Sequence, residues 1–216
     1  MKPYELVIFD WDGTLMDSVS KIVNCMQQMA SSLSLTIPTE KAVRDIIGLS
    51  MNEALSVLYP RLSPVHFESM LASYKQHYLS LNSTPSPLFE GCESLLNELS
   101  ARDYRMAVAT GKGRSGLNRV LSESGLGHHF ESTRCADESK SKPHPDMLHA
   151  LLDELKVKPA HALMVGDSIH DLNMANNAGI DSVGVSYGAH SHERLIEAKP
   201  KAIIHAPLQL LDVLSK

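Results

Sequence analysis

One apolar strand, Leu6-Val7-Ile8-Phe9, stands alone at the head of the chain, cut off from every other strand-like run by a helical pattern that lasts to about Leu81. An unpaired strand of this kind exposes backbone N–H and C=O groups beside an apolar face, a template for aggregation unless it is covered. It must therefore pair into a sheet made by the later part of the chain. The helices between are then an insertion between the first strand and the rest of the sheet.

The helical stretch, from about Ser18 to Leu81, carries apolar stripes at helical spacing: Ile22, Cys25, Met26 and Met29; then Val43, Ile46 and Ile47; then Ala54, Leu55 and Leu58; then Phe67, Met70, Leu71, Tyr74 and Tyr78. They predict a bundle of four helices, with the methionines and aromatics as its core. Two prolines in Asn82-Ser83-Thr84-Pro85-Ser86-Pro87 break the periodicity and read as a linker. Beyond it, strands and helices alternate. Helices are expected near Glu90–Arg102, Ser115–Ser124, Pro145–Leu155, Ile169–Ala178 and Leu208–Leu214. Strands are expected at Arg105–Thr110, around Phe130–Cys135, and at Ala162–Gly166, Asp181–Val185 and Ala202–Ile204. This alternation predicts an α/β fold, a doubly wound parallel sheet with helices on both faces. The expected division is 1–16 plus 86–216 for the α/β core and 17–85 for a small helical domain.

A length of 216 residues suffices for such a core, and 43% hydrophobic with 21% charged residues is ordinary globular composition. No window approaches the ~18 unbroken apolar residues of a membrane span, and the first five residues lack the apolar segment of a secretory signal, so a cytoplasmic protein is expected. Cys25, Cys92 and Cys135 are odd in number and far apart, which argues against a disulfide framework or a zinc site. A formal charge of −5 with scattered lysine and arginine excludes a continuous nucleic-acid surface. An anionic substrate would be held by a local cluster.

In a parallel sheet the ligand crevice lies beyond the C-terminal strand ends, and four such ends carry chemistry. The first leads into Asp10-Trp11-Asp12-Gly13-Thr14, two carboxylates two residues apart on a glycine turn. The second gives Thr110-Gly111-Lys112, a hydroxyl and N–H groups at a helix entrance where a phosphate can sit. Lys140-Ser141-Lys142-Pro143 follows, then Gly166-Asp167-Ser168-Ile169-His170-Asp171. A magnesium ion takes oxygen ligands and keeps several waters, and Asp10, Asp167 and the backbone carbonyl of Asp12 could supply them together with a substrate phosphate. Lys142 would offset the crowded acids. Asp17-Ser18 reads as the N-cap of the first helix.

The order Asp-X-Asp-Gly-Thr, Thr-Gly-Lys, Lys-Pro, Gly-Asp-X-X-X-Asp resembles the haloacid dehalogenase superfamily, in its phosphoglycolate phosphatase-like branch with a helical cap after the first strand. The resemblance implies that Asp10 is a nucleophile forming an aspartyl-phosphate and that Asp12 is the acid and base. Thr110 and Lys142 would hold phosphoryl oxygens, Asp167 would bind magnesium, and Asp171 would support the ion. Asp12 favours phosphoryl chemistry, since the dehalogenases lack this second acid. Trp11 stands where many relatives have an aliphatic residue. The expected activity is magnesium-dependent hydrolysis of small phosphate monoesters, with a sugar-phosphate mutase as the alternative enzyme. The expected partner is a small phosphorylated metabolite, with no nucleic acid and no membrane, and the protein is expected to be a monomer or small homo-oligomer. Gly111, Lys112, Leu49 and Ser50 are the further candidates for substrate contact.

Other patterns compete. Gly111, Gly113 and Gly116 match Gly-X-Gly-X-X-Gly, a dinucleotide fingerprint with Glu131 about twenty residues on, but that reading leaves the four acids without a role. The acids at positions 10 and 12 lack the spacing of a calcium loop, and Met106 stands where a phosphate-binding loop would need its first glycine. The histidines show no helix-spaced ligand pair.

Overall fold

The computed structural model describes residues 3–215; Met1, Lys2 and Lys216, which fall in stretches assigned above to the core, lie outside the described residues. Strand β1 (Leu6–Phe9) is followed by α1 (Val19–Ser32), α2 (Glu40–Arg44), α3 (Met51–Leu58) and α4 (Phe67–Gln76), which runs on into a π-helical turn at His77–Leu81. Then come α5 (Cys92–Ala101), β2 (Arg105–Thr110), α6 (Arg114–Ser124), β3 (Ser132–Cys135), α7 (Asp146–Leu155), β4 (Ala162–Gly166), α8 (Ile169–Ala178), β5 (Asp181–Val185), α9 (His192–Ile196), β6 (Ala202–Ile204) and α10 (Leu210–Leu214).

All six strands form one parallel sheet in the order β3-β2-β1-β4-β5-β6. The isolated first strand sits inside it, Leu6 in register with Arg105 on one side and with Ala162 on the other. Its four residues are buried, as the unbroken apolar run of a sheet covered on both faces requires. Alternation divides them: Val7 and Phe9 join the layer of α5 with Leu95, Leu96 and Leu99, while Leu6 and Ile8 face Met147, Leu148 and Leu151 of α7 and Met174 of α8. Each such side chain contributes about 1.5–3 kcal/mol of gross burial. Trp11, just past the strand, is fully buried in the first layer, edge-on to Phe130 with ring centroids 6.2 Å apart.

Between β1 and β2 the helices close on a separate core, centred on Met26, Met29, Val43, Leu55 and Met70. Two capped N-termini fix its short helices: Ala42 N–H donates to Thr39 Oγ1 and Glu53 N–H to Ser50 Oγ. The two chain crossings that tie this segment to the sheet run side by side. Asp17 N–H donates to the Pro87 carbonyl, Phe89 N–H to the Leu15 carbonyl, and Met16 pairs with Leu88 as an antiparallel bridge. A second attachment lies at the end of α2, where Asp45 forms an ion pair with Arg194 and its carbonyl accepts from His170 Nε2 at 2.9 Å. A third joins Ser50 N–H to Ser141 Oγ at 2.8 Å. No helix of the described residues is long and apolar enough to cross a membrane.

The connections from β1 and β4 leave to opposite sides of the sheet, so a crevice opens at their adjoining C-terminal ends.

Candidate active site

Asp10 ends β1 and Asp167 ends β4, neighbours across that crevice, and both are buried. Their approach depends on Gly13, which has φ +78° and lies so near Asp167 that a Cβ there would meet Oδ2 at 2.0 Å. Asp167 is fixed by Ala189 N–H at 2.6 Å and touched by Thr14 Oγ1 at 3.5 Å. Asp171 stands one helical turn on. Its Oδ2 accepts from the N–H and the hydroxyl of Ser168 in a reciprocal cap of α8, and its Oδ1 accepts from Lys142 Nζ at 2.6 Å.

Lys142 is fully buried between two acids, with Nζ 2.9 Å from Asp10 Oδ1 as well. That contact lacks hydrogen-bond geometry, and neither oxygen of Asp10 has a hydrogen-bond partner among the described residues. Burial pushes the Asp10 carboxyl up to about 7 against the pull of Lys142. Burial, then repulsion from Asp171 and Asp10, raises Asp167 well above the carboxylate range. Burial also works against the Lys142 charge, yet Asp10 and Asp171 outweigh it and hold the ammonium above the usual lysine value.

Three buried acids whose oxygens come within 4.8 Å of one another, served by one lysine, cannot all be ionised without a further cation. An unpartnered carboxylate oxygen at their centre is costly unless a cation meets it. The donor set is all oxygen and suits a hard divalent ion. Asp10 and Asp167 offer it carboxylate oxygens, whereas both oxygens of Asp171 are already engaged.

The Asp12 side chain turns away from this trio. Its Oδ1 accepts from the Ser18 hydroxyl at 2.7 Å, and its Oδ2 lies 2.8 Å from Lys112 Nζ. The sequence reading of Ser18 as a helix cap is corrected here: Ser18 occupies the position before α1 but makes no side-chain cap, because its own helical backbone (φ −110°, ψ −4°) carries the hydroxyl to Asp12. A charged acceptor makes the stronger bond. Lys112, read as a substrate contact, is likewise paired with Asp12.

Asp10 and Asp12 form one wall of a cavity of about 470 Å³ between the sheet's edge and the helical segment. Thr110, Gly111, Lys112, Leu49 and Ser50 all line it. Thr110 Oγ1 accepts from Lys112 N–H at 3.2 Å, which leaves its proton to donate. The Ser50 hydroxyl accepts from Glu53 N–H as the cap of α3, which leaves its proton to donate, while Leu49 offers an apolar contact. Lys142, Asp167 and Asp171 lie behind this wall rather than on it. The glycines at 111, 113 and 116 have other uses: a Cβ on Gly111 would meet the Gly48 carbonyl oxygen at 2.5 Å and one on Gly116 would meet Lys112 Cγ at 2.9 Å. They also follow β2, away from the switch point at which a dinucleotide turn is placed.

Ser18, Ala189 and Tyr78 belong to none of the motifs. Ser18 follows a recognisable Asp-Ser pair, whereas Ala189 and Tyr78 reach the site only through the fold.

The family model for haloacid dehalogenase-like hydrolases matches residues 7–185. The chain is 35% identical over 210 residues to the protein of Dickeya dadantii named Probable phosphatase IndB, covering 94% of this chain and 90% of that one. It is 31% identical over 221 residues to the phosphoglycolate phosphatase of Vibrio cholerae, covering 99% and 98%. Among solved structures, a haloacid dehalogenase-like family hydrolase of Streptococcus pneumoniae superposes with a TM-score of 0.84 at 26% identity, with 99% of each chain covered.

Proposed function

From its membership of the haloacid dehalogenase-like hydrolases, in which it is a phosphatase of the phosphoglycolate phosphatase-like branch, we propose that this chain hydrolyses small phosphate monoesters with magnesium through an aspartyl-phosphate on Asp10. The observation that carries the reading is the Asp10 carboxylate: buried, without a hydrogen-bond partner, and beside an open cavity. A carboxylate left in that state has lost the solvation that would quench its nucleophilicity.

Asp10 attacks phosphorus and the ester P–O bond breaks, while Asp12, which enters the step protonated at Oδ2 once Lys112 turns from it to the anionic substrate, gives that proton to the departing alcohol oxygen. Asp12, now a carboxylate, takes a proton from the water that attacks the phosphoenzyme. The Asp10–phosphorus bond breaks, and inorganic phosphate leaves. Ser18 holds Asp12 in place through Oδ1 for both transfers, and Lys142 with Thr110 draws in the phosphoryl oxygens. Asp10, Asp167 and the Asp12 carbonyl would hold magnesium, whose charge would let an anionic ester approach an anionic nucleophile. The segment 17–85 acts as a cap, closing over the cavity and keeping bulk water from the phosphoenzyme. Leu49 reaches the substrate from that side.

The test is release of inorganic phosphate from phosphate monoesters, abolished by chelation and restored by magnesium. Full turnover in excess chelator contradicts the metal role, and an isomeric ester in place of inorganic phosphate identifies a mutase.

A further inference from the structure

The cavity is larger than a phosphoglycolate-like ester needs. Such an ester has about nine non-hydrogen atoms, and even at the ~30 Å³ share of a water molecule for each it fills roughly 270 Å³, against about 470 Å³ available. The surplus has a definite chemistry. Met26 of α1, Ile47, and Leu71 and Tyr74 of α4 give it an apolar side. Lys75 on α4 and Arg119 on α6 also line it, one from the helical segment and one from the sheet domain.

Each of the cavity's carboxylates already faces a cation or an N–H donor. Asp10 faces Lys142, Asp12 faces Lys112, and Asp137 accepts from the Arg114 N–H at the start of α6. Lys75 has no carboxylate within ion-pair distance among the described residues. Among the described residues Arg119 has Glu123 as its one carboxylate partner, an i,i+4 pair with side chains 34% and 59% exposed, which holds it weakly. Contacts run from Asp12 through Lys112 to the ring of Tyr78, and across that ring to Arg119, with Lys112 Nζ 5.2 Å and Arg119 Cζ 5.6 Å from its centroid. Tyr78 lines the same cavity, and its hydroxyl is buried and makes no hydrogen bond of normal geometry among the described residues. It is a polar group awaiting a partner.

Resting on the phosphatase reading above, we propose that the alcohol part of the substrate is extended and amphipathic. It has an apolar, ring-sized body lying against Met26, Leu71 and Tyr74, and a second anionic group, a carboxylate, met by Arg119 and Lys75. The guanidinium fork matches a carboxylate in two parallel hydrogen bonds, while Lys75 adds charge at the mouth. Arg119 and Lys75 then determine specificity and take no part in bond breaking.

Four esters of primary alcohols separate body from charge: ethyl phosphate, phosphoglycolate, benzyl phosphate and 4-carboxybenzyl phosphate, each assayed with magnesium. The last is expected to have the highest kcat/KM, by roughly tenfold over both benzyl phosphate and phosphoglycolate. Arg119→Gln and Lys75→Gln are each expected to lower the ratio of 4-carboxybenzyl to benzyl phosphate by about threefold or more; a ratio is insensitive to partial loss of folded enzyme. Should phosphoglycolate be the best of the four, or should neither variant move the ratio, the inference is overturned while the phosphatase reading stands. If none of the four esters, nor acetyl phosphate, is hydrolysed, the phosphatase reading itself fails and this inference falls with it.

Discussion

Asp10 and Asp12 are two residues apart, yet the fold gives them opposite surroundings. Asp10 lies among acids with no hydrogen bond, and Asp12 is gripped by a hydroxyl and an ammonium. Asp10→Asn keeps the shape and removes the nucleophile, so turnover should fall by about 10⁴-fold or more, measured as phosphate release by protein free of contaminating phosphatase. Wild-type turnover in this variant would exclude a covalent role. Ser18→Ala removes one bond to a charged carboxylate, worth about 1.5–3 kcal/mol. We expect kcat to drop by about tenfold or more with little change in KM, and Ser18→Thr to restore it. A KM effect alone would show that Ser18 serves substrate binding instead of Asp12.

Among the elements, those with a strong period are legible in the sequence. Strands β2, β4, β5 and β6 match their expected ranges, and most helices agree to within about two residues. What escaped the sequence is what depends on contacts between distant segments. The five-residue α9 is too short to show a period, and it supplies Arg194 to the pair with Asp45. The π-helical turn at His77–Leu81 continues the apolar stripe of α4 with altered spacing and turns Tyr78 toward the cavity. The four acids and Lys142 were readable because each belongs to a motif that follows a strand. The grip of Ser18 on Asp12 was not, since Asp-Ser before a helix is equally a capping signature. Gly111 shows how closely elements are fitted. Gly111→Ala would press a methyl on the carbonyl oxygens of Gly48 and Leu49 at 2.5 and 2.7 Å, backbone atoms that cannot rotate away. It should lift α3 from the sheet domain, raise KM, and speed amide exchange at Ser50, whose N–H is held by Ser141. Unchanged exchange would mean the contact is easily absorbed.

For the whole molecule, the buried acids set a cost that depends on pH. Asp10 is raised from 3.8 to about 7 by burial, so its proton favours the folded state: the stability it contributes is complete below about pH 4 and is lost as pH rises through 7. His190 runs the other way. Burial, with Arg194 nearby, lowers it from 6.5 to about 4, so its contribution is present above about pH 6.5 and is lost as pH falls through 4. From about pH 4 to 6.5 the two slopes oppose each other, so metal-free protein should lose stability mainly as pH rises beyond that range, where Asp10 and Asp167 go on ionising. Magnesium should raise Tm more at about pH 8 than at about pH 5, because it binds the ionised acids of the folded state. Asp10→Asn should flatten the alkaline limb without metal. An alkaline limb equally steep in wild type and variant would place the cost at another group.

The single tryptophan of the chain lies between the two acids in sequence, and its side chain is packed in the apolar layer edge-on to Phe130. Its carbonyl accepts the N–H groups of Thr14, Leu15 and Met16, so its backbone organises the turn that leads to the crossings. The protein thus contains one indole fluorophore, fixed to the segment that joins nucleophile to hinge and undiluted by any other. Its emission is a built-in optical reporter: metal binding, phosphorylation of Asp10 and opening at the crossings each change the field or packing around one ring, and stopped-flow traces can time them in unlabelled protein.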